Sequence, residues 1–253
     1  MPQSQKKLPD IEKLKEKWEP LLKNTDWYLE IVPEIDNLKK ILKEVEKEKS
    51  DYYRKELYDF FEYHLTRGNI ALEKNPKSMD EERKPIDTII IHHTSISSSL
   101  TPDRLSAIIL VRLYAPYFYN PTYENEQYLK GKPIYSGHER NGKQVFWPYH
   151  WIIRNDGTAE RLLKDSEVGW QAGNWDINCQ SVAIALDNDY ENSRPSDIEI
   201  QSIANVIKNN YSQVSKDRIF GHREIKPTTT CPSNLFLDTN NQKGWKNDLL
   251  EKI

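Results

Sequence analysis

Ile86-Asp87-Thr88-Ile89-Ile90-Ile91-His92-His93-Thr94 is a run of β-branched residues that ends on two imidazoles. Bounded by Pro85 and by the serine-rich stretch 95–99, it has the length and composition of a short buried strand. A strand of this kind is a rigid platform, and His92 stands at its tip, where a site can open to solvent. Far downstream, Gly221-His222-Arg223-Glu224 and Thr229-Thr230-Cys231-Pro232 offer a second imidazole and a thiol. Two histidines and one cysteine form a recurring ligand set for catalytic zinc, with the fourth position left to water. The segments between these residues read as the scaffold that brings them together.

Between His222 and Cys231 lie Pro227 and three threonines, a composition for a loop that curls around an ion. Two neutral imidazoles and a thiolate leave a zinc site with a net charge near +1, enough to acidify water and polarise a carbonyl. The competing reading is a closed Cys/His zinc knuckle. That needs a fourth ligand at short spacing, and the sequence shows none.

The strands and helices around this set follow from pattern. Residues 182–186, Val-Ala-Ile-Ala-Leu, form a second nearly continuous apolar strand. Asn141-Gly142 is a hairpin signal, because both residues accept positive φ, and it predicts pairing of 134–140 with 143–153. Asn155-Asp156-Gly157 closes a second turn, which puts Tyr149-His150-Trp151-Ile152-Ile153 on a central strand. Residues 218–221 predict a short strand that delivers His222. Thr101-Pro102-Asp103 opens a helix, since proline is tolerated at the first helical position. Ser196 and Glu199 match a capping box, and Ile200, Ile203, Ala204, Ile207 and Tyr211 continue its helix. Residues 245–253 predict a last amphipathic helix. Strands alternating with helices indicate an α/β fold, a mixed central β-sheet flanked by helices.

Residues 1–80 differ in character and predict a helical N-terminal extension, with residues 81–253 as the catalytic domain. Ile11, Leu14, Trp18, Leu21 and Leu22 recur at helical spacing, and Leu38, Ile41, Leu42 and Val45 repeat the pattern. Pro33 is expected to break the first helix from the second. These helices either pack their apolar stripe on the rest of the chain or contact a partner. His64 lies on the stripe, where packing is the expected role. Residues 68–85 read as a linker. Of the other histidines, His150 is expected in a strand and His138 at the surface.

Composition narrows the function classes. A net charge of −3 with pI near 6.1 lacks the basic face of a nucleic-acid binder. No run of 18 apolar residues exists to form a transmembrane segment. The first seven residues lack the apolar stretch of a signal peptide, which fits either an internal protein or a chain whose leader has been removed. Localisation is then cytoplasmic in the first case and periplasmic or wall-associated in the second. The 11% aromatic content points to rings lining a groove. Cys179 and Cys231 could pair, which would remove Cys231 from metal binding; a free Cys179 packed as a small hydrophobe beside the 182–186 strand is the expected alternative.

Taken together, Ile89-Ile90-Ile91-His92-His93-Thr94, Tyr149-His150-Trp151-Ile152-Ile153 with Asp156-Gly157, Gly169-Trp170-Gln171-Ala172-Gly173-Asn174, the 181–186 strand, and Gly221-His222-Arg223-Glu224 leading to Cys231-Pro232 resemble the zinc-dependent N-acetylmuramoyl-L-alanine amidases of the amidase-2 type. That group includes phage lysozyme-like amidases and the peptidoglycan recognition proteins. The resemblance covers residues 85–240 in the family's order. It implies Zn2+ ligated by His92, His222 and Cys231, with His92 rather than His93 as the first ligand. It implies a catalytic role for Tyr149, whose phenol would orient water or stabilise an oxyanion, and for Thr229, where family members carry Lys or Thr. His93, Thr94, Trp170 and Asn174 are the implied substrate-binding positions. The implied substrate is peptidoglycan or a soluble muropeptide, cut between N-acetylmuramic acid and L-alanine. A non-hydrolytic peptidoglycan binder and a zinc peptidase acting within the stem peptide are the alternatives. Two departures stand out: many relatives carry Glu where this chain has Ala185, and a His often replaces Gln171, a change expected to tune substrate contacts.

Overall fold

The computed structural model of the protein describes residues 8–96 and 99–253; the signal-peptide reading of residues 1–7, and Ser97 and Ser98 of the serine run, lie outside the described residues. The chain divides into two compact units, Met1–Lys77 with Asp103–Phe146 and Ser78–Pro102 with Trp147–Ile253. The segment Asp103–Phe146 belongs to the same compact unit as the N-terminal helices.

The second unit is built on β1 (Thr88–His93), which is buried throughout. It lies in a five-stranded sheet with β4 (Trp151–Ile153), β5 (Ala159–Arg161), β6 (Ser181–Leu186) and β7 (Ile219–Gly221), in the order β5-β4-β6-β1-β7. β1 runs parallel to β6 and β7, β4 runs parallel to β6, and only β5 is antiparallel. The sheet is thus mixed and α/β, as the alternating pattern predicts.

Period-two alternation divides the side chains between two faces. Ile89, Ile91, Val182, Ile184, Leu186 and Ile153 pack with Ile200, Ile203, Ala204 and Ile207 of α7 (Asp197–Asn210) and Leu249 of α9 (Trp245–Lys252). Each fully buried Val, Leu or Ile among them contributes about 1.5–3 kcal/mol, so this face anchors the unit. The opposite face carries His92, level with Ala185 and Ile152 across the sheet. Small side chains at Ala183 and Ala185 leave room there. The capping box that starts α7 is formed: the Ser196 hydroxyl accepts the Glu199 N–H at 3.4 Å, and the Glu199 carboxylate accepts the Ser196 N–H at 2.8 Å.

The first unit holds α1 (Ile11–Leu21), α2 (Tyr28–Leu42) and α3 (Lys47–Thr66). Trp18, Trp27, Tyr28, Ile31 and Phe61 form its interior, and the Tyr28 hydroxyl donates to the Lys132 carbonyl at 2.7 Å. The Asp103–Phe146 segment contributes α5 (Ala115–Tyr119), where Phe118 meets the Tyr28 ring edge-on at 6.2 Å.

Four local expectations are corrected. Pro33 lies inside α2 and does not end it; Ile31, Val32, Ile35 and Leu38 are buried around it, and their packing outweighs one missing hydrogen bond. The Asn141-Gly142 hairpin forms, with φ of 52° and 73°, but it joins only β2 (Glu139–Arg140) and β3 (Lys143–Gln144) as a separate two-stranded sheet. The strand expected from Tyr149 begins at Trp151, and His150 just before it is already bonded to β6. His138 is buried, at 2% exposure, and its N–H donates to the Ser136 hydroxyl at 3.1 Å. Among the described residues no helix is long and apolar enough to cross a membrane.

Candidate metal centre

Strand register creates the cluster. Ile91 pairs with Gly221, so the residues that follow, His92 on β1 and His222 just past the end of β7, are set side by side. Their rings lie 4.7 Å apart. Gly221 has no alternative here, because a Cβ would fall 2.5 Å from the Phe236 ring and 2.7 Å from Pro232. His222 opens α8 (His222–Ile225), and the chain then loops back to Cys231. That return is tied by the Arg223 N–H donating to the Cys231 carbonyl at 2.7 Å and the Cys231 N–H donating to the Thr229 hydroxyl at 3.2 Å.

The Cys231 sulfur lies 3.6 Å from His92 Nδ1 and accepts the His93 N–H at 3.4 Å. One ligand atom each from His92, His222 and Cys231 falls within 4.8 Å of the others. His222 Nε2 is buried and has no hydrogen-bond partner. Both cysteines are free thiols, so Cys231 is not consumed by a disulfide. Cys179 is buried at the end of α6 (Trp175–Gln180), and burial pushes its thiol pKa up.

Burial also sets the charge state of the imidazoles. His92 is held well below its usual pKa first by desolvation and then by its neighbour His222. His222 is pushed down to about 4, by desolvation and then by the Lys226 ammonium. Both rings are therefore neutral at pH 7 and offer a lone pair. Two neutral imidazoles, one with an orphaned ring nitrogen, and a sulfur fit a tetrahedral zinc site with an open position.

The other expected positions fall into two groups. Tyr149 stands at the cluster, its ring 5.1 Å from that of His92. Thr229 is beside it, with its hydroxyl engaged by the Cys231 N–H. Trp170 is half-buried in loop 169–174. His93 points to the opposite face of β1: its Nδ1 accepts the Tyr190 N–H at 2.9 Å and its Nε2 lies 2.9 Å from the Ser95 hydroxyl. Thr94 is buried, its hydroxyl directed at the carbonyls of Ile96 and Asn188. Asn174 is the N-cap of α6, accepting the Ile177 N–H at 3.1 Å.

Gln171 is the residue the sequence reading misplaced. It is only 7% exposed, and its Oε1 lies 2.6 Å from His92 Nε2. Its amide nitrogen donates to the Ser181 hydroxyl at 2.9 Å. A lone amide in a loop of small and aromatic residues was the available signal. His150 is likewise structural: Nδ1 accepts the Ala183 N–H at 3.1 Å, Nε2 donates to the Glu167 carbonyl at 3.0 Å, and desolvation brings its pKa to about 3.

The 1,6-anhydro-N-acetylmuramyl-L-alanine amidase AmpD of Haemophilus influenzae is 27% identical over 97 residues, which is 35% of this chain and 53% of that protein. The chain thus spans about half the length of this curated relative. Among solved structures, the N-acetylmuramoyl-L-alanine amidase LysC from Clostridium intestinale aligns at 20% identity over 63% of this chain and 83% of its own, with a TM-score of 0.42. The Ph2119 endolysin from a Thermus scotoductus bacteriophage aligns at 17% identity over 75% and 96%, with a TM-score of 0.40. Residues 82–234 match the family described as N-acetylmuramoyl-L-alanine amidase, a stretch that carries β1, the His222 strand and Cys231 alike. Since that match takes in more than half of the chain, this protein belongs to the N-acetylmuramoyl-L-alanine amidase family.

Proposed function

We propose that the chain hydrolyses the amide between the lactyl group of N-acetylmuramic acid and L-alanine of the stem peptide, using zinc held by His92, His222 and Cys231. The observation that carries this reading is the convergence of two neutral imidazoles and a thiol within 4.8 Å, with His222 Nε2 buried and unpartnered. Zinc bound there would supply a Lewis acid for the scissile carbonyl and lower the pKa of water toward 7.

The chain's own groups do the rest. Tyr149 has its ring 5.1 Å from that of His92, which supports a role for its hydroxyl as donor to the oxyanion that forms as the carbonyl is attacked. Thr229 shapes the Cys231 loop and sets the sulfur's position through the backbone. Where many relatives carry Glu, Ala185 supplies no carboxylate, so Tyr149 is the protein group left to assist at the reacting carbonyl. Trp170, half-buried, and Asn174, exposed in the same loop, are candidates for contact with sugar or peptide.

Mass spectrometry of muropeptides after digestion tests the reading. Release of free stem peptide beginning at L-alanine is expected. Cleavage inside the peptide would instead make the chain a zinc peptidase, and an unchanged mixture with retained binding would make it a wall-binding protein. Comparing intact sacculi with soluble anhydromuropeptides separates a lytic from a recycling role.

A further inference from the structure

Both histidines of the cluster touch the same loop, and we propose that loop 169–174 fixes which nitrogen each one presents. The inference rests on reading the cluster as a metal centre. Gln171 Oε1 is 2.6 Å from His92 Nε2, so that nitrogen carries the ring hydrogen and donates it. The lone pair is then left on Nδ1, the atom 3.6 Å from the Cys231 sulfur. One residue on, the Ala172 backbone faces the His222 ring. His222 Nε2 is the atom left without a partner, so the ring hydrogen sits on Nδ1. One loop therefore favours opposite tautomers at two rings, Nε2–H at His92 and Nδ1–H at His222, and leaves the His92 lone pair on the side of the sulfur.

The physical reason is the cost of an unpaired donor. A neutral imidazole must keep one N–H, and burying it without an acceptor is unfavourable. Gln171 provides the acceptor on the far side of the His92 ring from the sulfur, where the hydrogen does not obstruct the cluster. The loop is itself restrained. Asn178 Oδ1 accepts the N–H groups of Gln171 at 3.3 Å and Ala172 at 2.8 Å, while the buried Ser181 hydroxyl holds the Gln171 amide at 2.9 Å. Gln171 is thus a positioning residue, acting on the metal through His92.

Gln171→Met keeps the side-chain length and removes the acceptor; Gln171→Glu keeps the acceptor. Two readouts apply: 15N ring shifts of His92 in metal-free protein, and the zinc dissociation constant by chelator competition. The wild type and Gln171→Glu are expected to show His92 as the Nε2–H tautomer, and Gln171→Met a mixture. Zinc should bind Gln171→Met about 10–100-fold more weakly than the wild type, and Gln171→Glu at least as tightly. Ser181→Ala, which frees the Gln171 amide, is expected to weaken zinc in the same direction and covers the case in which Gln171→Met does not fold. A folded Gln171→Met with the wild-type tautomer and wild-type zinc affinity would overturn the inference. A wild type that binds no zinc would instead remove the metal reading, while the tautomer measurement would still decide the role of the loop.

Discussion

Cys231 holds its place in the cluster through backbone ties on both sides, so its sulfur can be altered without unmaking the loop. Cys231→Ala should lower zinc affinity by orders of magnitude while the thermal midpoint of the metal-free protein moves little; equal zinc affinity in both would remove the thiol from the ligand set. Tyr149→Phe deletes one hydroxyl and leaves the ring against His92. It should keep its zinc and lose about 10²–10³-fold in kcat, the usual cost of one oxyanion donor. Unchanged turnover in that variant would place the transition-state donor elsewhere. At this scale the sequence shows chemistry better than orientation. His92 and His93 are adjacent and alike, yet strand alternation sends one to the cluster and the other to the Tyr190 backbone. Gln171 looks like a groove residue until the fold turns its amide inward.

At the scale of elements, the delivery of His222 depends on Gly221. In Gly221→Ala the new methyl would meet the fully buried Phe236 ring and Pro232, an overpacking cost of about 1–3 kcal/mol. The urea midpoint should fall accordingly, and an unchanged midpoint would show that Phe236 can move aside. Ser196→Ala should cost about 1 kcal/mol through loss of the α7 cap, read in the same way. β1, β6 and α7 were legible because their signals are local: continuous β-branched runs and a capping box. Pro33 misled because a proline's local penalty is small beside the buried stripe of Ile31, Val32, Ile35 and Leu38. The Asn141-Gly142 turn was legible, but the reach of its two arms was not. How far a hairpin extends depends on partners distant in sequence, and beyond Gln144 the chain leaves to join β6.

For the whole molecule, the division into units was the least legible feature. Segment Asp103–Phe146 is embedded in the family match yet belongs to the compact unit of the N-terminal helices. Its aromatic side chains show no period, so nothing local announces where it packs. Stability as a whole should follow pH through the buried histidines. His150 stays neutral down to about pH 3 when folded but takes a proton near its ordinary 6.5 when unfolded. Unfolding therefore binds a proton between those values, and stability is full above about pH 6.5 and falls as pH drops through this window. The slope approaches roughly 1.4 kcal/mol per pH unit for one such group. Urea midpoints of metal-free protein should decline from pH 7 to 4.5, and more shallowly in His150→Gln; a flat profile would contradict buried neutral imidazoles.

The account depends above all on His92, His222 and Cys231 gripping one ion together. Elemental analysis of protein purified without chelators measures this most directly. One zinc per chain in the wild type, and none in Cys231→Ala, is the expected result. No bound metal in the wild type, or a full complement retained by Cys231→Ala, would contradict it.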